Sequence, residues 1–186
     1  MDTRTALLDH AETLARTRGL DAFSFGDLAE RQGIKKASVH YHFATKPQLA
    51  LALIKRYVDA FFVRLPKAGT AAQRMEAFLA HYRATLGAGE QTCLCVAFAA
   101  GRHSLSAPVV AELNRFHTEA TYWLQEVMAQ GRRDKTLPAQ PDTLAEAAAA
   151  LALVEGAQLI ARAAGDPTLF DTATAQLRAR LDLPAR

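Results

Sequence analysis

Residues 25–49 hold the feature that most restricts how this chain can fold: two short helices that meet at a glycine, with another helix starting directly behind them. Ser24 stands at an N-cap position with Asp27 three residues on, the spacing of a capping box, and Phe23 and Leu28 bracket that start as a hydrophobic staple. Gly33 can take the left-handed conformation that closes the first helix, and Ile34 follows as the apolar residue that packs back on its last turn. The second helix therefore leaves at an angle. Its Val39 and Phe43, four apart, share one face and meet Leu28, Ala29 and Ile34 in the small core of a helix-turn-helix. Thr45 with Gln48 makes another capping box, and Pro47 is tolerated because it falls in a first turn, where its missing N–H is not needed.

The outward face of the same unit points to nucleic acid. Between Arg31 and Val58 lie six bases, Arg31, Lys35, Lys36, Lys46, Lys55 and Arg56, and no acid. Neutralising backbone phosphates requires such a stretch. Lys35 and Lys36 open the second helix, where unpaired N–H groups already make the end positive and cations are unfavourable. An anion docked there removes the conflict, and a DNA phosphate is the obvious one. Ala37, Ser38, His40 and Tyr41 then offer small, hydroxyl, imidazole and aromatic groups to a major groove, where hydrogen bonds and thymine-methyl contacts tell bases apart. His42 and Lys46 are better placed for the phosphate backbone. A basic run alone is usually a solvated helix face. Here the caps, the glycine, the apolar spacing and the missing acids agree, and together they favour DNA.

The run Gly33-Ile34-Lys35-Lys36-Ala37-Ser38-Val39-His40-Tyr41-His42-Phe43, continued through Thr45 and Lys46 to Leu49, resembles the helix-turn-helix signature of the TetR family of bacterial transcriptional regulators. The resemblance is specific over roughly residues 3–50, and the length and helical layout of the rest are compatible with it. It implies that Lys36 to His42 form the recognition helix and that Lys46 and Ser24 hold phosphate. Two positions depart from the family's pattern. Lys35 stands where many members place a capping residue, and His40 where tyrosine is frequent, so no base preference carries over.

Composition fits a single intracellular polypeptide. In 186 residues, half are apolar and 22% charged, with 22 Lys and Arg against 19 Asp and Glu for a net charge of +3. Disorder is not expected of such a chain. The opening MDTRTALLDHAE carries charges where a signal peptide needs an apolar core. Ala145 to Ala164, the most apolar stretch, contains Glu146, Glu155, Gln158 and Arg162, which argues against a membrane span. Two cysteines one residue apart make no secreted disulfide framework. A cytoplasmic protein is the simplest account.

The expected class is all-α: a three-helix head, residues 1–48, joined to a larger helical body, residues 49–186, with about nine helices in total. Leu7, Ala11, Leu14 and Ala15 mark a first helix ending at Gly19, and Leu49, Leu53, Tyr57 and Phe61 repeat every four residues along a helix stopped by Pro66. Met75, Phe78, Leu79 and Tyr82 face inward on a fifth helix from Thr70 to Leu86, and Thr92 to Ala100 supplies a short sixth. A seventh, capped by Ser106, runs to Gln130 with Val109, Leu113, Phe116 and Leu124 inward; an exposed loop from Arg132 to Pro141 follows. The last two helices part at Gly165 and restart at Asp166-Pro167. Leu144 to Ala164 is apolar nearly all round and so needs cover on every side. With the stripe Phe170, Ala173, Leu177 and Leu181 it predicts a four-helix homodimer interface from about residues 142–181 of two chains, which the family resemblance also implies.

A dimer presents two recognition helices to a palindromic double-stranded DNA operator. The resemblance further implies a small-molecule effector that enters the body, shifts the fourth helix and releases DNA, most members being repressors. Candidate pocket residues are Phe61, Phe78, Tyr82, Cys93, Phe98, Phe116, Tyr122, Trp123, Glu155 and Gln158. Aromatics at helical spacing are more often plain core. Glu155 and Gln158 stand out, because burying an unpaired carboxylate or amide costs several kcal/mol, roughly; they serve either a ligand or a dimer partner. No cofactor, metal or membrane partner is expected.

Cys93 and Cys95 admit two readings. With Thr92 as N-cap both thiols lie in a first helical turn, where the positive end favours thiolate and reaction with electrophiles; alternatively both are small buried apolar residues. A metal held by the Cys-x-Cys pair and His103 would require the intervening helix to unwind. Rivals from other classes are a helical thiol enzyme using Cys93 with His103 or His81, and an all-helical adaptor for acidic protein surfaces. The first leaves the basic unit without purpose, and no phosphate loop, metal-binding helix or nucleophile elbow accompanies it. The second does not need the tight turn.

Overall fold

The computed structural model describes residues 2–139 and 141–181. Among these the chain is all-α, with nine α-helices, two short 3-10 turns and no strand. The helices are α1 (Thr3–Arg18), α2 (Phe25–Gln32), α3 (Lys36–His42), α4 (Lys46–Arg64), α5 (Ala71–Thr85), α6 (Leu94–Ala100), α7 (Ala107–Asp134), α8 (Thr143–Ala164) and α9 (Thr168–Arg180). Packing divides them into two compact units. One runs through Phe61 and takes in Leu94–Phe116; the other comprises Phe62–Cys93 and the chain from His117 onward.

In the first unit α1 packs on α2 and α6, with Leu7, Ala11, Leu14 and Ala15 turned inward and fully buried. The expected stripe of α4, Leu49, Leu53, Tyr57 and Phe61, is buried as well. Phe61 meets Phe116 edge to face at 5.0 Å, and Phe98 is buried in the same unit. Charged pairs tie the periphery. The Arg56 guanidinium reaches Asp9 at 2.7 Å and Glu12 at 2.9 Å, Arg115 bridges Asp59 and Glu112, and Lys55 lies 3.9 Å from Glu112. Two of the six bases counted for DNA, Lys55 and Arg56, therefore have carboxylate partners inside the unit.

The second unit is organised by α8, which packs on α5 and α9 through Ala147, Ala150, Leu151, Val154, Ala157 and Ala161. By length and composition α8 is apolar enough to cross a membrane. Its small inward residues instead receive α5 and α9. Asp142 caps it, accepting the Leu144 and Ala145 amides at 3.0 Å, and Gly165 closes it in the left-handed conformation. Gly89, φ +101, comes so near that turn that a Cβ placed on it would sit 2.8 Å from the Gly165 carbonyl oxygen. Only glycine fits there.

Three expectations need correction, two about helix limits and one about an inward face. α7 continues to Asp134 rather than ending near Gln130, so of the expected 132–141 loop residues 135–139 and 141 are non-helical, and residue 140 lies outside the described residues. Gly131 lies within it, and Leu137 folds back over the glycine and occupies the space a Cβ would need. The helix stops at Lys135, a non-glycine residue at φ 60, held there by the Asp134 carboxylate, which accepts from the Thr136 hydroxyl at 2.6 Å and from the Ala71 amide at 3.0 Å. These bonds push Asp134, chiefly through Thr136, down to about pKa 2. α6 begins at Leu94, so Thr92 is not its N-cap; Cys93 precedes the first turn and Cys95 lies within it. On α9, Phe170, Leu177 and Leu181 are buried as expected, but Thr174 completes the stripe in place of Ala173, its hydroxyl donating to the Phe170 carbonyl at 2.8 Å.

Candidate nucleic-acid interface

The α2–α3 unit is built as its local signals dictate. Ser24 Oγ accepts the amides of Gly26 and Asp27, and Asp27 Oδ2 accepts from the Ser24 amide at 2.6 Å, so both halves of the box form. The hydrogen bonds from Ser24 hold the Asp27 carboxyl below its usual range. Gly33 takes φ 69, ψ 33, and the Ile34 amide reaches back to the Ala29 carbonyl at 3.0 Å. Val39, Phe43 and Leu28 are buried, which at about 1.5–3 kcal/mol for each large apolar side chain suffices to fix so short a helix. Arg4 adds its guanidinium over the Phe43 ring at 5.1 Å.

With Val39 inward, Lys35, Lys36, Ala37, Ser38, His40 and Tyr41 are exposed on the seven-residue α3. Tyr41 is 86% exposed, more than any other large apolar side chain among the described residues. Its ring stands edge-on to half-buried His42 at 5.2 Å. His40 is more constrained than its exposure suggests. Nδ1 lies 3.3 Å from the Ala44 carbonyl oxygen and the ring packs edge to face on Phe25 at 4.9 Å. Lys35 occupies the position before α3 without a side-chain cap.

Beside α3 opens a cleft of about 280 Å³ lined by Phe23, Ser24, Phe25, Lys36, His40, Ala44, Thr45 and Lys46. It brings together four of the residues expected at DNA, Ser24, Lys36, His40 and Lys46. Thr45 caps α4 in part, accepting the Gln48 amide at 3.4 Å. The Lys46 ammonium is turned to the Phe23 carbonyl oxygen and lies 4.6 Å from the Phe23 ring centroid. Burial pushes Lys46 below the ordinary lysine value, against the pull of Asp21 and Asp27.

The expected pocket residues separate. Phe61, Phe98 and Phe116 belong to the core of the first unit, and Tyr122 is 61% exposed. Phe78, Tyr82, Cys93, Trp123, Glu155 and Gln158 belong to the second unit. Phe78 stacks on Trp123 at 5.7 Å and meets Tyr82 at 4.9 Å, and Arg74 covers the Trp123 ring. Glu155 accepts from the Tyr82 hydroxyl at 3.4 Å and faces His117 Nε2 at 3.3 Å. The bond to Glu155 raises the His117 pKa, against burial. Gln158 is fully buried and engaged at both ends: its oxygen accepts the Cys93 amide at 2.9 Å, and its nitrogen donates to the Tyr82 carbonyl at 2.7 Å and to the Thr85 hydroxyl. That amide fastens α5 and the approach to α6 onto α8. Cys93 and Cys95 are both fully buried.

This arrangement matches known proteins in sequence and in fold. The pattern of "Bacterial regulatory proteins, tetR family" covers residues 7–53, from α1 into α4. The HTH-type transcriptional repressor NemR of Escherichia coli (strain K12) is 26% identical over 192 residues, 99% of this chain and 96% of that one. A TetR-family regulator from Agrobacterium tumefaciens superposes with a TM-score of 0.88 at 27% identity, covering 96% of this chain and 97% of the other. Residues 7–53 carry the TetR-family pattern, and the whole chain is similar to TetR-family proteins. The crystal structure of the reduced form of E. coli NemR also matches end to end, with 100% of each chain covered, a TM-score of 0.82 and 25% identity.

Within the TetR-family frame, sequence reasoning missed Phe25 and Thr45 in the cleft, Arg4 over Phe43, and His117 beside Glu155. Thr45 was visible as a cap but not as a wall of the cleft. Arg4 and His117 reach partners 39 and 38 positions away, and no local spacing announces them.

Proposed function

We propose that this chain is a ligand-responsive transcriptional repressor that binds a palindromic double-stranded DNA operator as a homodimer and is released by a small molecule or thiol-reactive compound. The observation that carries this reading is the exposed face of α3, with Lys36, Ala37, Ser38 and Tyr41 outward over buried Val39 and Phe43 and the Lys46 cleft alongside. Side chains so disposed can enter a major groove while the lysines meet phosphate. The family's relatives named as repressors support the same reading. Residues 1–48 serve as the DNA-binding head and 49–186 as the body for effector and dimer, inside the cytoplasm where the DNA is. Retardation of DNA from beside its own gene, weakening steeply with salt, is the direct test; binding indifferent to salt would refute it.

Homodimerisation is supported by the outer side of α8. Ala145, Ala148, Ala149 and Ala152 are exposed there with Leu159 and Ile160, the last 58% exposed. A second copy related by a two-fold axis covers that face with the same face and sets two α3 helices against two half-sites. Replacement of Leu159 and Ile160 by glutamate should give a monomer in sedimentation. For the effector, the second unit's Tyr82, His117 and Glu155, backed by Phe78 and Trp123, form the best-furnished polar and aromatic cluster. An effector acts by binding one head spacing better than the other, a population shift. Thiol-reactive compounds reach Cys93 only when the chain around it opens, since both thiols are buried.

A further inference from the structure

Lys46 lines two cavities of the first unit at once. One is the outer cleft shared with Ser24, Lys36, His40 and Thr45. The other is an inner cavity of about 100 Å³ whose walls include Asp21, Lys46, Pro47, Ser104 and Ser106. The ammonium is held against one wall of the outer cleft, where it donates to the Phe23 carbonyl oxygen and rests over the Phe23 ring. Two carboxylates attract it from nearby, Asp21 and Asp27. Asp27 is engaged in the α2 cap through the Ser24 amide and hydroxyl. Asp21 is exposed in the 3-10 turn Leu20–Ala22.

A lysine held by internal acceptors has to leave them before it meets a phosphate, so binding gains only the difference between the two sets of contacts. We propose that Asp21 sets the affinity of the head for DNA by competing with a backbone phosphate for Lys46, whose ammonium works in two positions, retracted on Phe23 and extended into the outer cleft. Asp21 is thus a positioning residue that acts through Lys46. The inference rests on the DNA-binding reading above.

Any acid removed near DNA tightens binding somewhat, so the test is a four-protein cycle on a short mixed-sequence DNA duplex at low salt: the parent, Asp21→Asn, Lys46→Met and the double variant. Asp21→Asn should tighten binding about two- to fivefold, the range of a partly exposed ion pair, and should do almost nothing in the Lys46→Met background. Glu30→Gln, which removes an exposed acid on α2, should give one and the same small gain in both backgrounds. An Asp21→Asn gain of equal size with and without Lys46 overturns the proposal, because Asp21 would then act on DNA as a general charge. No gain in the parent overturns it too. Salt-independent binding by the parent would instead remove the DNA reading, and this inference with it.

Discussion

The head and the α5–α8 seam of the second unit use polar side chains in opposite ways. On α3 the hydroxyl, lysines and tyrosine face solvent, and the helix is seated by Val39, Phe43, the turn at Gly33 and the packing of His40 on Phe25. Along α8 the fully buried Gln158 satisfies a carbonyl, a hydroxyl and an amide of its own chain, and Glu155 takes both Tyr82 and His117. Polar groups that face outward on a small, firmly seated helix are suited to a partner that is not part of the chain. Those enclosed along α8 stabilise the fold, and any ligand there has to displace a bond that already exists.

That contrast can be broken in four places. The largest effect is expected at Gln158: replacement by leucine strands the Cys93 amide and its other partners, and should lower unfolding free energy by about 2–4 kcal/mol in urea denaturation. Equal stability would mean that the amide is not the fastening it looks to be. Lys46→Ala comes next, weakening binding to every DNA sequence and reducing the slope of log affinity against log salt by roughly 0.9, with thermal stability little changed. Tyr41→Ala should alter base preference in a binding-site selection while shifting stability by no more than about 0.5 kcal/mol, the usual range for an exposed side chain; an unchanged preference would take Tyr41 out of the groove. The smallest is the pH response at His117. Its folded pKa is raised above 6.5, so the stabilisation from Glu155 is fully present below pH 6.5 and fades as pH rises through the raised value. His117→Gln should therefore cost most in melting temperature at acid pH and progressively less above neutrality, and a pH-independent cost would assign His117 to packing alone.

The same two regions explain what was legible in the sequence. The caps, turn and inward pair of the α2–α3 unit lie within about five residues of what they control: Ser24 with Asp27, Gly33 with Ala29, Val39 with Phe43. The inward stripes of α1, α4, α5 and α7 were readable for the same reason. The ends of α6 and α7 were not. Cys93 is held out of α6 by Gln158, 65 positions later, and α7 ends on a lysine whose left-handed conformation is imposed by Asp134 and Thr136 rather than by any glycine. In the head, the orientations of His40 and Lys46 follow from Phe25, Ala44 and Phe23, so a correct assignment to the exposed face still left their direction undetermined.

The approach of Gly89 to Gly165 carries a consequence for how this protein can vary. With no side chain between them, the turn after α5 and the turn after α8 touch backbone to backbone, and each sets the permitted path of the other. One added residue in either turn would lift that contact unless the other were re-cut to match. Loop length, ordinarily the most tolerant property of a helical protein, is here fixed in pairs, and grafting or circular permutation at either turn should fail where the same operation after α7 succeeds.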